Sequence, residues 1–189
     1  MKIVVISGSV RIGRETHQVA EYLTAKLKEN SSADIHLLDL LDYPLPIMEE
    51  TYGNLSNKPS GLEEVQKMLQ EADAMIWVSP EYHGTCTGAL KNMLDYFWAE
   101  FYRKPIGVAA AATGRIGGLN ASSSMQQLAL SIGGYAMPLK LIVPYVDKAF
   151  DESGVPIEAD IDKCFVDFAK EFLWFADAIV AKKMAMSVK

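Results

Sequence analysis

Short, unbroken apolar runs alternate with longer stretches of helical period along this chain, and that alternation constrains its fold more than any other feature. The runs fall at residues 2–7 (KIVVIS), 35–40, 74–79 (AMIWVS), 105–111 and 139–143. Continuous apolar character is what strands buried on both faces need. Between the runs, Val19, Leu23 and Leu27 mark one helix, and Leu62, Val65 and Leu69 a second. Leu90, Met93, Leu94, Phe97 and Phe101 recur at helical spacing, which predicts a third helix reaching Phe101. A weaker segment over 119–130 stops at Gly133 and Gly134, and the last, over 161–181, follows Asp160 as its expected N-cap. Such alternation predicts an α/β fold, a parallel sheet with helices on both faces joined by right-handed crossovers. One domain over residues 1–189 is expected, and a chain of that length buries roughly 70% of its unfolded surface without staples. Residues 42–60, with three prolines, read as a long surface loop inside that domain.

Composition narrows the function. A net charge of −6 argues against a nucleic-acid partner, which calls for a basic stripe. Two cysteines, Cys86 and Cys164, suit a reducing compartment rather than a disulfide framework. The opening apolar run is too short for a secretory signal, and no stretch approaches the ~20 apolar residues of a membrane span. A cytoplasmic protein with no membrane partner is the expectation.

In open α/β sheets ligands bind outside the carboxyl ends of the strands, so the loops after the runs are where chemistry belongs. The first loop, 7–18, holds Gly8, Gly13, Arg11, Arg14 and several hydroxyls at the start of a helix. Free N–H groups, a positive helix end and a guanidinium make an anion site. It is not a dinucleotide fingerprint, nor a P-loop, since Gly8 and Gly13 have that spacing but Arg14 and Glu15 replace the required Lys and Ser/Thr; the competing reading is an ordinary turn with solvated arginines. The loop 79–87 carries a proline, an aromatic and a histidine that could line a flat ring, or simply face solvent. His83 and Cys86 are too few for a metal site and lack the third group of a nucleophile–base pair. The glycines at 114, 117 and 118 let backbone approach a planar ligand and offer N–H donors, or form a flexible turn.

These residues carry a resemblance. Gly8, Ser9 and Arg11, then Ser79, Pro80, Glu81 and Tyr82, then Leu90, Lys91, Asn92, Asp95 and Tyr96, then Gly114, Gly117 and Gly118 lie in register with the motifs of the NAD(P)H-dependent FMN reductase family. The chain resembles that family from residue 2 to about residue 144. The resemblance implies a flavodoxin-like fold with strand order 2-1-3-4-5, bound FMN, and NADPH or NADH as co-substrate. It further implies that Ser9, Arg11, Thr16, His17 and Gln18 hold the FMN phosphate. Pro80, Glu81, Tyr82 and His83 then run beside the isoalloxazine ring, and Thr113, Gly114, Gly117 and Gly118 meet its pyrimidine edge. No catalytic side chain is implied, because the cofactor does the chemistry. The acceptor class is quinones, free flavins, azo dyes or metal oxyanions, and Arg14 or Arg115 is the expected contact for an NADPH 2′-phosphate. This chain has His83 where the family usually has Asn, which puts a titrating group in the turn, and Thr87 where it often has Pro.

Two other readings share the fold: a non-enzymatic electron carrier and a cofactor-free phosphate-ester hydrolase. Separately, Tyr96, Phe97, Trp98, Phe101 and Tyr102 spread rings around more than one helix face, which predicts a homodimer or homotetramer. The competing expectation is that these rings pack under the 42–60 loop.

Overall fold

The computed structural model describes residues 1–187. Among them the strands β1 (Lys2–Ser7), β2 (Asp34–Asp39), β3 (Ala74–Pro80), β4 (Pro105–Ala111) and β5 (Tyr135–Val143) form one parallel sheet in the order β2-β1-β3-β4-β5. Every residue of β3 and β4 is buried, as unbroken apolar runs require. β2, at one edge, is only partly buried: Ile35 and Leu38 bury on opposite faces while Asp34 and His36 are exposed. β5, at the other edge, is longer than its apolar run and carries Pro138 where the register against β4 slips between Ile106 and Val108. An edge irregularity is where a residue without an N–H is tolerated in a sheet.

Helices α1 (Thr16–Asn30) and α5 (Ala159–Ser187) cover one face; α2 (Leu62–Glu71), α3 (Gly88–Asp95) and α4 (Leu119–Ser131) cover the other. Alternate residues of one strand feed the two cores. Ile3 and Val5 pack with Val19 and Leu23 of α1 and with Phe165, Phe168 and Phe172 of α5, while Val4 and Ile6 pack with Leu62, Leu90 and Met125. Each of those phenylalanines is essentially fully buried, worth about 1.5–3 kcal/mol apiece.

Two helix boundaries differ from expectation. α3 ends at Asp95 rather than Phe101, because the N–H of Tyr52 in the long loop takes the Tyr96 carbonyl at 2.8 Å and the chain turns into a short 3-10 segment, Ala99–Phe101. α5 begins at Ala159, so Asp160 lies inside the first turn beside Asp162, where its charge favours the helix dipole without capping it.

The 42–60 loop lies across α3 rather than hanging free. Asn92 of α3 accepts from the Met48 N–H at 2.8 Å and donates to the Pro46 carbonyl at 2.7 Å, and the Tyr96 hydroxyl donates to the same carbonyl at 3.0 Å. Tyr96 and Phe97 are therefore buried, Phe101 is buried against Trp77 of β3, and Trp98 and Tyr102 stay exposed. Most of the aromatic surplus that motivates an oligomer is thus consumed within the chain.

Candidate functional site

The carboxyl ends of β1, β3 and β4 open into a cleft of about 240 Å³. Its walls include Ser9, Arg11 and Thr16 from the first loop, Pro80, Glu81 and Tyr82 after β3, and Ala111, Ala112 and Thr113 after β4. Loops far apart in sequence meet there because β1, β3 and β4 are sheet neighbours.

The first loop is pressed against the sheet. The Gly8 N–H donates to the Val78 carbonyl at 2.8 Å, and a Cβ on Gly8 would stand 2.9 Å from that oxygen and 3.0 Å from the Leu90 Cβ. Only glycine fits. Thr87 locks the same point: its hydroxyl donates to the Gly8 carbonyl at 2.5 Å and accepts from the Leu90 N–H at 3.1 Å, capping α3. Its own N–H, absent from proline, donates to Ser79 Oγ at 3.0 Å.

Arg11 and Arg14 have separate duties. Arg14 grips Asp39, at the end of β2, with both guanidinium nitrogens, and also donates to the Ser9 carbonyl at 2.6 Å. Burial pushes the Asp39 carboxyl upward, but Arg14, the Leu41 N–H and the nearby His17 together hold it below the usual carboxylate range. Arg14 is therefore committed to neutralising Asp39 and is not spare for an NADPH phosphate. Arg11 is exposed at the cleft with no ion pair or hydrogen bond among the described residues.

The hydroxyls of Ser9 and Thr16, in residues only 2% and 4% exposed, also make no hydrogen bond there. Their residues are packed into the loop while the hydroxyls stay open to the cleft, where they can donate to a ligand. α1 adds to this, since its N-cap Glu15 makes no side-chain cap and leaves first-turn N–H groups open. His17 and Gln18 sit in that turn, but neither side chain lines the cleft. The His17 ring lies 3.0 Å from Ser7 Oγ and 3.5 Å from both Asp39 and Glu21.

After β3 the chain makes a two-residue turn. Tyr82 and Thr85 exchange backbone hydrogen bonds of 3.0 and 3.2 Å around His83 at φ 52° and Gly84 at φ 80°. Left-handed conformation at both central residues is the pattern that favours Asn-Gly. The family's usual Asn here is thus explained by backbone, and His83, itself tolerant of that region, is exposed and touches no other residue by hydrogen bond. We expect His83→Val to cost about 1–2 kcal/mol in urea unfolding and His83→Asn to be neutral or slightly stabilising.

In the third wall Gly117 and Gly118 pack inward instead of lining the cleft. A Cβ on Gly117 would meet the Pro144 nitrogen at 2.7 Å, and one on Gly118 the Ala110 Cβ at 2.8 Å. Gly114 is at the exposed tip of the loop, and the N–H groups of Thr113 and Gly114 have no acceptor among the described residues. The buried Cys86 thiol is pushed up by burial, which disfavours a thiolate. No cluster of three metal-ligating side chains occurs among the described residues.

Residues 1–147 match the profile of the NADPH-dependent FMN reductase family. The chain belongs to this family. It is 30% identical over 167 residues to an NADPH azoreductase of Bacillus sp. (strain OY1-2), covering 86% of this chain and 89% of that protein. An FMN-dependent NADPH-azoreductase of Staphylococcus saprophyticus is 31% identical over 147 residues, 75% of this chain and 76% of its own. Among solved structures, the flavoenzyme NAD(P)H:(acceptor) oxidoreductase FerB of Paracoccus denitrificans shares the fold, with a TM-score of 0.79 at 21% identity over 94% of this chain and 97% of that one. The chain is accordingly an FMN-dependent NAD(P)H oxidoreductase of flavodoxin-like fold. FMN fits the residues present: unpaired hydroxyls, an uncommitted guanidinium and an open helix end suit its phosphate, and unpaired N–H groups at 113 and 114 suit ring carbonyls. No helix among the described residues is long and apolar enough to cross a membrane.

What sequence reasoning missed is Asp39 and the division of labour between the arginines. The available signal was an acid at the end of the strand beside β1, which alone names no partner.

Proposed function

We propose that the chain passes reducing equivalents from NADPH or NADH, through FMN seated in this cleft, to small planar acceptors of the azo and quinone class. The observation that carries the reading is the pair of unpaired hydroxyls at Ser9 and Thr16, open to the cleft beside the uncommitted Arg11. FMN supplies the transfer of electrons between a two-electron donor and acceptors that take one or two. The chain's own work is to bind and orient. Ser9, Thr16, Arg11 and the first turn of α1 hold the phosphate; Pro80 and Tyr82 flank the ring; Ala111 and Ala112 exclude water from the far wall. Donors at Thr113 and Gly114 face the ring edge on which negative charge grows during reduction. The azoreductase names of the relatives support azo dyes as one acceptor class. Free thiols at Cys86 and Cys164 support a reducing compartment, the cytoplasm.

The test is spectroscopic. Purified protein loaded with FMN should be bleached by anaerobic NADPH and recoloured by an azo dye or a quinone, with steady NADPH oxidation and no added protein. Failure to retain FMN, or bleaching only with a partner protein, would sink the reading.

Arg115, exposed on the β4 loop and without an ion pair among the described residues, is the guanidinium left for the 2′-phosphate of NADPH. Arg115→Ala should raise KM for NADPH and leave KM for NADH unchanged in steady-state assays. A homodimer or homotetramer is supported by exposed large apolar side chains, Ile12 at 98%, Ile47 at 86% and Trp98 at 68%. Light scattering at micromolar concentration should give a multiple of 20.8 kDa; a monomeric mass would count against it.

A further inference from the structure

Glu81 stands between the two walls of the cleft, yet its carboxylate is turned away into α4. Oε2 accepts from the N–H groups of Asn120 at 3.0 Å and Ala121 at 3.1 Å, and Oε1 accepts from the Asn120 side-chain amide at 3.0 Å. Helix starts are normally capped by a local Ser, Thr, Asp or Asn. That solution is closed to α4. Its N-cap is Gly118 at φ 95°, where a Cβ would stand 2.8 Å from the Ala110 Cβ and 3.0 Å from the Ala111 nitrogen. Steric demand at position 118 removes the local cap, and Glu81, from a different loop, supplies it.

The geometry points to Glu81 as a positioning residue that ties the turn after β3 to the start of α4 and so sets the spacing of the walls that flank the flavin ring. This rests on the flavin reading above. The Glu81 N–H extends the ladder by donating to the Ala111 carbonyl at 3.1 Å, so backbone and side chain of one residue hold both walls. A second strap runs parallel, Thr85 Oγ1 to Ser124 Oγ at 2.7 Å. Burial works to raise the Glu81 carboxyl, but the Asn120 amide and the two backbone donors outweigh it and keep the group ionised. A remote cap of this kind means that the ring-side turn cannot shift without uncapping α4.

Flavin-free full-length protein titrated with FMN and with riboflavin tests this, together with hydrogen exchange at Asn120 and Ala121. Because both ligands share the ring, Glu81→Ala should weaken both by the same factor, roughly five- to thirtyfold, with faster exchange at the two amides. Glu81→Gln keeps an acceptor for the backbone donors and should recover most of the affinity and protection. Riboflavin affinity unchanged in Glu81→Ala, a loss confined to FMN, or unchanged exchange would each overturn the proposal. A general loss of stability alone would lower the melting temperature and leave affinity well below it intact, which also overturns it. Should Glu81→Ala not fold, Asn120→Ala removes one of the three contacts and gives the same readouts at smaller amplitude. Wild type that binds neither flavin would remove the flavin reading and this role together, whereas wild type that binds both, with no Glu81 effect, removes this role alone.

Discussion

Replacing Arg11 with alanine should weaken FMN binding by roughly 10–100-fold while leaving riboflavin binding unchanged, since a hydrogen bond to a charged group is worth about 1.5–3 kcal/mol. Two guanidiniums lie in the loop, but Arg14 is held by Asp39, so Arg11 is the cation of the loop free to meet a dianionic phosphate. Riboflavin carries the same ring without the phosphate and has nothing for Arg11 to bind. Added salt should weaken FMN more than riboflavin, and this difference should shrink in Arg11→Ala. Ser9→Ala should follow the same pattern with a smaller loss, because a neutral hydroxyl donor contributes less. Isothermal titration of both ligands reads all of these effects. Equal losses for the two ligands would mean that Arg11 shapes the ring pocket and that the phosphate sits elsewhere.

Asp39→Ala should lower the unfolding free energy by about 2–3 kcal/mol, because it strands Arg14 as an unpaired charge in a largely buried position. Both side chains of the pair are only 12% exposed, which sets it apart from surface pairs worth ~0–1 kcal/mol. For a chain of this size the melting temperature should fall by about 5–10 °C. The double variant Arg14→Ala with Asp39→Ala should be less destabilised than the sum of the two single changes, since neither charge is then left alone. The pH dependence has a definite sign. Folded Asp39 binds its proton more weakly than the unfolded carboxyl does. Its contribution is therefore complete above the unfolded value of about 3.9 and is lost as pH falls through the lower folded value. Urea titrations in buffers stepped downward from about pH 4 should show a shallower acid loss for Asp39→Ala than for wild type. A stability change under about 0.5 kcal/mol would reduce the pair to an ordinary surface contact.

The sheet was legible because its strands are buried on both faces, and double burial writes itself into consecutive residues. KIVVIS and AMIWVS predict β1 and β3, and their order in the sheet follows from the family resemblance. Helix periods located α1, α2 and α4 within a few residues at their buried positions. The third helix was overextended because Phe97 and Phe101 keep a helical spacing and are indeed buried, while the helix is stopped just before them, where the loop N–H of Tyr52 donates to the Tyr96 carbonyl. Burial was readable there; backbone path was not.

At the site, sequence by itself determined that a loop with two arginines, a turn with a proline and an aromatic, and a glycine loop stand at the ends of three strands. Tertiary structure alone decided which side chain does what. Arg11 and Arg14 are three residues apart and chemically equivalent on paper; β2 arriving beside β1 places Asp39 under one of them and not the other. Glu81 belongs to the motif that suggests a ring contact, yet its carboxylate caps a helix that begins 38 residues later, because Gly118 has no room for a cap of its own. His83 occupies its place because a backbone turn there needs positive φ. The division has one cause. Burial and turn chemistry act between neighbours in the chain and leave a local pattern, whereas ion pairs and remote caps depend on which loop ends the sheet order brings side by side.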